Sequence, residues 1–195
     1  MLLNDVRHAL HRAPARLPAE GRRPAGVAMV LDDTGQVLFI RRADKQGDPW
    51  SGHVGLPGGH VQSGESFEEA ARRETLEEVG LDLDRAELLG SLDDRETPGH
   101  LPTKLVRPFV YRVPRFDAFT LQRDEVASTH LFPLHRLLLG DGRGTFPYPY
   151  GGRDWTLPCV DLDGVRLWGL TLRIVDDLLD RIDGDGIGLD RRAAG

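Results

Sequence analysis

Cysteine, long apolar runs and an excess of basic charge are all scarce in this sequence. Cys159 is the only cysteine, so the chain cannot form an intramolecular disulfide, which fits a reducing compartment. No stretch approaches the roughly 18 consecutive apolar residues of a membrane-spanning helix. The net charge is −6, so bulk charge does not favour binding to nucleic acid. We therefore expect a protein with neither a membrane nor a nucleic acid as its partner.

The two ends of the chain and its length complete this first description. Residues 1–7 reach a charged side chain too early for the apolar core of a secretory signal, so we expect a cytoplasmic location. The 195 residues are enough for one domain with a full core. We predict an N-terminal helix and arm over 1–25, a single domain over 26–183 and a flexible tail over 184–195.

Hydrophobic periodicity and turn residues predict alternating strands and helices. The predicted strands are 26–31, 36–40, 86–92, 105–113 and 128–132, and the predicted helices are 4–12, 66–79, 133–138 and 167–182. We interpret 41–55 as a loop. The segment 140–158 is rich in Gly, Pro and aromatic residues, and we interpret it as a long surface excursion. Strands that alternate with helices around one core predict an α/β layered domain.

The helix predicted over 66–79 carries an unusual concentration of negative charge. Glu74, Glu77 and Glu78 are three or four residues apart, so they are neighbours on one side of the helix. Like charges at this spacing destabilise a helix by roughly 0.2–0.5 kcal/mol per pair. Hard divalent cations prefer carboxylate oxygens, and they bind together with substrate phosphates. The cluster therefore indicates a metal site, although glutamates on a helix also commonly form a solvated face.

The residues around this helix favour the metal site. Pro57-Gly58-Gly59 precedes it, and glycine allows a ligand to approach the main chain closely. Arg73 lies next to Glu74 and can hold a carboxylate by two hydrogen bonds. The complete pattern is Gly59, five residues, Glu65, seven residues, Arg73-Glu74, two residues, Glu77-Glu78, one residue, Gly80 and Leu81.

At every fixed position this pattern resembles the Nudix box. That family consists of Mg²⁺- or Mn²⁺-dependent hydrolases of nucleoside diphosphates linked to another group. The resemblance implies an α/β fold, an α/β/α sandwich with a mixed β-sheet, in which the box forms a loop–helix–loop catalytic motif. It also implies a small nucleotide substrate as the partner.

The resemblance also implies roles for individual residues. Glu74, Glu77 and Glu78 would be metal ligands, with the Gly59 carbonyl as a further ligand and Arg73 orienting the glutamates. Metal ions neutralise the diphosphate charge and lower the pKa of a bound water, and a carboxylate accepts the proton of that water.

Some members of the family place the proton-accepting base on a loop after the later strands. Glu125 is the matching candidate here, and an ordinary surface acid before a strand is the alternative. Glu77 and Glu78 are the candidates for this role within the box. Glu65 is expected to hold the loop in front of the helix.

Segments outside the box bear on the substrate. Residues 38–43 and 50–59, with the Trp168-Gly169 pair before the last helix, resemble the coenzyme A diphosphatase branch of the family. The sequence departs from that branch at three positions, where the branch has Arg, His and Phe and this chain has Asp48, Trp50 and Leu56.

We therefore expect CoA or acyl-CoA as the substrate and keep two alternatives. The first is a pyrophosphatase for ADP-ribose, NADH, nucleotide sugars or dinucleoside polyphosphates. The second is a non-catalytic module that senses a nucleotide, a type that often lacks box carboxylates. Arg41, Arg42, Trp50 and His53 are candidate substrate contacts, with solvated cations and packing aromatics as the alternatives. The arm and the last helix are the candidate surfaces for a homodimer.

Overall fold

A computed structural model describes residues 2–12, 23–97 and 104–184. Residues 13–22 of the arm predicted over 13–25 and nearly all of the predicted tail lie outside the described residues, whereas 23–25 already belong to a strand, so the domain bounds stay a prediction. The elements within these ranges are α1 (Leu2–Arg12), β1 (Arg23–Asp32), β2 (Gln36–Arg42), β3 (Val54–Gly55), β4 (Gly58–His60), α2 (Phe67–Val79), β5 (Glu87–Ser91), β6 (Arg95–Glu96), β7 (Lys104–Val113), β8 (Val126–Pro133), α3 (Leu134–Leu138), β9 (Arg143–Tyr150), β10 (Arg153–Asp161), β11 (Arg166–Trp168) and α4 (Gly169–Asp183).

A mixed sheet forms around β1. This strand pairs with β7 in parallel along its whole length and pairs antiparallel with β2 and β4. The strand order is β3-β2-β1-β7-β5, with β8 on β2 and β6 on β7. The continuous apolar run at the start of the predicted domain is therefore a strand buried on both faces.

The side chains of β1 alternate between two apolar cores. Met29 and Leu31 face a core that includes α1 and α4, whereas Ala28 and Val30 face a second core that includes α2. Helices thus cover both faces of the sheet, and the predicted α/β/α sandwich is confirmed. No helix within the described ranges is long and apolar enough to cross a membrane.

The segment 140–158 contains regular structure, so its prediction as a loop-like excursion is wrong. Strands β9 and β10 form a hairpin, and β11 adds to β10 to give a separate three-stranded sheet. Gly151 and Gly152 form the two-residue turn, both with positive φ, as the tightest hairpin turns require. Pro147 and Pro149 are tolerated because β9 is an edge strand of this sheet.

Candidate metal and nucleotide site

Helix α2 is fixed at both ends by its own sequence. The Ser66 hydroxyl accepts from the Glu69 N–H at 3.2 Å, and the Glu69 carboxylate accepts from the Ser66 N–H at 2.7 Å. This reciprocal pair is a capping box. At the other end Gly80 takes the left-handed conformation with φ 71°, which ends the helix. The carboxylates of α2 therefore project from a helix with defined ends.

Three glycines allow close packing of β1, β4 and α2 against one another. Gly26 on β1 pairs with Gly59 on β4. A Cβ atom on Gly26 would collide with the carbonyl oxygen of Phe67, and one on Gly58 would collide with the main chain of Gly26. A Cβ atom on Gly59 would collide with the carboxylate of Glu74. These glycines therefore place the loop directly against the acidic helix.

Glu74, Glu78 and Glu125 bring their carboxylates together at this point. One oxygen from each lies within 4.8 Å of the other two. Glu78 is only 1% exposed and accepts a hydrogen bond from the Gly58 N–H at 2.9 Å. Glu125 reaches the cluster from the loop before β8, where its carbonyl accepts from the Ala43 N–H at 2.8 Å. Glu125, the candidate that the sequence offers outside the box, therefore lies next to Glu74 and Glu78 inside it.

The cluster is electrostatically suited to a cation. Burial is the main reason that the pKa of Glu78 is raised to about 8; the hydrogen bond from Gly58 opposes the rise, and the nearby charge of Glu74 adds to it. Burial also raises the pKa of Glu74, although the hydrogen bond from Arg73 partly opposes this. Buried carboxylates are stable as anions only when they are paired or bind a metal. A group of carboxylate oxygens fits Mg²⁺ or Mn²⁺, both of which prefer oxygen ligands.

Arg73 joins the glycine loop to the carboxylates. Its guanidinium donates to Glu65 at 2.8 Å, to Glu74 at 2.9 Å and to the His60 carbonyl at 3.0 Å. The hydrogen bond from Arg73 lowers the pKa of Glu65. Glu65 also accepts from the main-chain N–H of Gln62 at 2.8 Å, which ties the loop to the helix.

Glu77 is placed differently from the other two glutamates of the box. Its side chain is 49% exposed, and its carboxylate accepts from Arg73 at 3.1 Å. Within the described residues, the group of three neighbouring carboxylates consists of Glu74, Glu78 and Glu125, whereas the sequence predicted Glu77 as its third member. The role of Glu77 as a metal ligand stays a prediction, as does that of the Gly59 carbonyl.

A cavity of about 780 Å³ lies against the carboxylate cluster. Its lining contains Glu74, Glu77, Glu78, Glu125, Arg73 and Gly59, together with three of the four candidate substrate contacts, Arg42, Trp50 and His53. Arg41 does not line this cavity and lies 3.6 Å from Asp44.

Asp48 is the residue at which the sequence departs in charge from the CoA-branch pattern. Its carboxylate accepts from the Arg42 guanidinium at 2.8 Å and from the Trp50 N–H at 2.9 Å. Asp48 therefore holds a candidate phosphate contact and fixes the turn that leads to Trp50.

An aromatic wall that the sequence analysis missed lines the same cavity. We use this name for Tyr148, Tyr150, Trp155 and Trp168. The signal was present as Phe-Pro-Tyr-Pro-Tyr over 146–150, because every second residue of a strand lies on the same face. The alternating prolines instead favoured a loop.

Comparison with known proteins identifies the family. Residues 21–149 match the model of the NUDIX domain, and the chain therefore belongs to the Nudix family. The glycine loop and the acidic helix described above both lie within this range.

Curated relatives match over part of their length. An uncharacterised protein of Schizosaccharomyces pombe is 42% identical over 109 residues, which are 53% of this chain and 33% of that protein. An ADP-ribose pyrophosphatase of Methanocaldococcus jannaschii is 39% identical over 74 residues, covering 37% of this chain and 42% of the relative. An RNA pyrophosphohydrolase of a Marinomonas species is 36% identical over 74 residues, covering 38% of this chain and 42% of the relative. The chain thus spans less than half the length of these relatives.

Solved structures support the fold alone. The NUDIX domain of Shewanella oneidensis NrtR, solved with ADP ribose, superposes with a TM-score of 0.53 at 17% identity, covering 84% of this chain and 90% of that one. A MutT protein from Methanosarcina mazei superposes with a TM-score of 0.52 at 19% identity, covering 88% of this chain and 100% of that one.

Proposed function

We propose that this chain hydrolyses the diphosphate bond of a nucleoside diphosphate derivative with the help of Mg²⁺ or Mn²⁺. The observation that carries the proposal is the group formed by Glu74, Glu78 and Glu125, whose oxygens lie within 4.8 Å of one another at the wall of a large cavity. Such a group binds a divalent ion well and repels a phosphate without one.

The residues present fit a metal ion. Glu74, Glu78 and Glu125 would hold it, and the Gly59 carbonyl and Glu77 are the further ligands that the family resemblance implies. When bound, the metal neutralises phosphate charge and lowers the pKa of a coordinated water.

The chain's own side chains divide the remaining tasks. Glu125 is exposed and borders the cavity, so its carboxylate can accept the proton of the attacking water. Arg73 holds Glu74 in a fixed orientation at 2.9 Å. Arg42, held by Asp48, offers guanidinium donors to a phosphate oxygen at the cavity wall. The protein thus positions the carboxylates and the substrate phosphates before reaction.

The choice of substrate rests on the relatives and on the resemblance. Two relatives named above are an ADP-ribose pyrophosphatase and an RNA pyrophosphohydrolase, and both names describe cleavage of a phosphoric anhydride on a nucleotide. ADP-ribose is therefore the first substrate to test. CoA and acyl-CoA remain the candidates that the sequence pattern favours.

A substrate panel tests this proposal. Purified protein is incubated with Mg²⁺ or Mn²⁺ and ADP-ribose, CoA, acetyl-CoA, NADH, a nucleotide sugar, a dinucleoside polyphosphate or 5′-triphosphorylated RNA, and the products are identified by mass. We expect cleavage of at least one compound within its phosphoric anhydride chain, abolished by EDTA. If no compound is cleaved with either metal, the proposed function is wrong.

A further inference from the structure

The β9–β10 hairpin extends the cavity beyond the part of the chain that matches the family model. That match ends at residue 149, so Trp155 and Trp168 lie outside it. Both nevertheless line the cavity that contains Glu74 and Glu78. The aromatic wall therefore combines Tyr148, at the end of the matched range, with three rings that lie beyond it.

The aromatic wall is held in place before any ligand binds. Tyr148 and Trp155 are direct partners across the hairpin. The Trp155 indole N–H donates to the Tyr150 carbonyl at 3.3 Å. The Tyr148 and Tyr150 rings are stacked with centroids 6.3 Å apart, and Tyr148 lies 5.1 Å from Trp168. Preorganised rings of this kind lose little conformational entropy when a ligand binds.

The wall is also joined to the body of the protein. The His53 ring contacts Trp168 edge-on at a centroid distance of 4.7 Å, just before β3. His53 itself lines the cavity, and its burial lowers its pKa, so a neutral ring is favoured there. Trp168 therefore connects the hairpin to the loop that carries His53 at the cavity.

One ring of the wall is accessible from the cavity. Trp155 lines the cavity and is 50% exposed, so a ligand can reach its ring. A cavity of about 780 Å³ is far larger than a diphosphate requires and falls in the range that encloses a whole small ligand. Aromatic faces favour planar rings, because these stack in an offset arrangement.

We propose that the aromatic wall binds the nucleobase of the substrate and makes the site selective for diphosphates that carry a planar ring. The proposal rests on the proposed function for the identity of the ligand as a nucleotide. Trp155 is the specificity-determining residue, because it is the most exposed ring of the wall and its side chain is held within the hairpin itself.

Binding of two reaction-product analogues tests this proposal. AMP and ribose 5-phosphate differ only in the base, and neither contains a diphosphate bond, so both can be titrated calorimetrically in the presence of Mg²⁺ without turnover. We expect the wild-type chain to bind AMP about tenfold or more tightly than ribose 5-phosphate. Trp155→Leu keeps an apolar side chain but removes the planar face, and it should bring the affinity for AMP close to that for ribose 5-phosphate.

Two variants serve as controls for this experiment. Trp155→Phe retains a ring and should keep most of the preference for AMP. Leu139→Ala changes a side chain that is 64% exposed and does not line the cavity, and it should leave both affinities unchanged. The proposal is overturned if wild-type protein binds AMP no more tightly than ribose 5-phosphate, undetectable binding of both included, or if Trp155→Leu retains the preference. Because these titrations measure binding and not hydrolysis, their outcome is independent of whether the substrate panel shows cleavage.

Discussion

Glu77 and Glu78 are adjacent in sequence, but they differ sharply in solvent exposure. Glu78 is 1% exposed, whereas the side chain of Glu77 is 49% exposed. Successive residues of a helix are rotated by about 100°, so Glu78 turns toward the Gly58 N–H while Glu77 turns to solvent and Arg73. The spacing in the sequence places the three glutamates on one side of the helix but does not tell how deeply each is buried. The position of the β4 loop beside α2 decides which edge of the helix is covered.

The buried charge of Glu78 has a consequence for stability in metal-free protein. Its pKa is raised to about 8, so the folded chain keeps a proton that the unfolded chain has released. The stability that Glu78 contributes to the metal-free protein should therefore fall as pH rises from about 4.5 to about 8, by a total on the order of a few kcal/mol. Glu78→Gln keeps an acceptor for the Gly58 N–H and removes the charge. Urea unfolding in EDTA should show that this variant exceeds wild type in stability at pH 8 and loses the advantage at pH 4.5, whereas equal stability at both pH values contradicts the account.

Glu125 supplies a second prediction at the residue scale. If its carboxylate takes the proton of the attacking water, Glu125→Gln should lower kcat by about 10²- to 10⁴-fold with a smaller effect on KM. The adjacent Asp124 is also exposed, but it does not belong to the three-carboxylate group. Steady-state kinetics of Asp124→Asn should therefore match wild type. A Glu125→Gln variant with wild-type kcat removes Glu125 from the chemistry.

At the scale of elements, local signals explain which parts of the fold can be predicted. Helix α2 begins at Ser66 and ends at Gly80 because both caps are encoded within the segment itself. The hairpin β9–β10 is stabilised by pairing with its own second strand and by contact with α4 and β11, which no local window contains. Its prolines favour a loop unless the edge position of β9 is known.

Glycine substitutions separate the structural task of the β1–β4 pair from its task in the site. A Cβ on Gly26 meets the main chain of α2, which cannot move without shifting the helix, so Gly26→Ala should cost about 1–3 kcal/mol of stability. A Cβ on Gly59 meets the flexible Glu74 carboxylate, so Gly59→Ala should keep most of the stability and lose roughly 10- to 100-fold in Mn²⁺ affinity.

Gly144 provides the matched control, because a Cβ there would meet nothing within 4 Å. Thermal unfolding and Mn²⁺ calorimetry on Gly144→Ala should both resemble wild type. The assignment of tasks is contradicted if Gly59→Ala binds Mn²⁺ as well as wild type does, or if Gly26→Ala is as stable as Gly144→Ala.

At the scale of the whole molecule, the cavity combines segments that are far apart in sequence. Most of its lining residues fall within 42–62, 73–78, 148–157 and 168–174, and the others include Glu125. The sequence pattern identified the acidic part because its spacing is fixed within one loop and one helix. The Arg42–Asp48 ion pair depends on the path of the irregular loop after β2, and the aromatic wall depends on how the two sheets and α4 meet, so sequence alone could not place them.

The central claim is that Glu74, Glu78 and Glu125 bind a metal ion that is needed to hydrolyse a diphosphate bond. Turnover of the Glu78→Gln variant tests this claim most directly. The variant and wild type are compared with Mg²⁺ and Mn²⁺ on whichever panel compound the wild type cleaves, with circular dichroism to establish that both are folded. We predict a loss of kcat of about 10²-fold or more in a folded protein, because the most buried carboxylate of the group no longer carries charge. Wild-type turnover by folded Glu78→Gln would contradict the account.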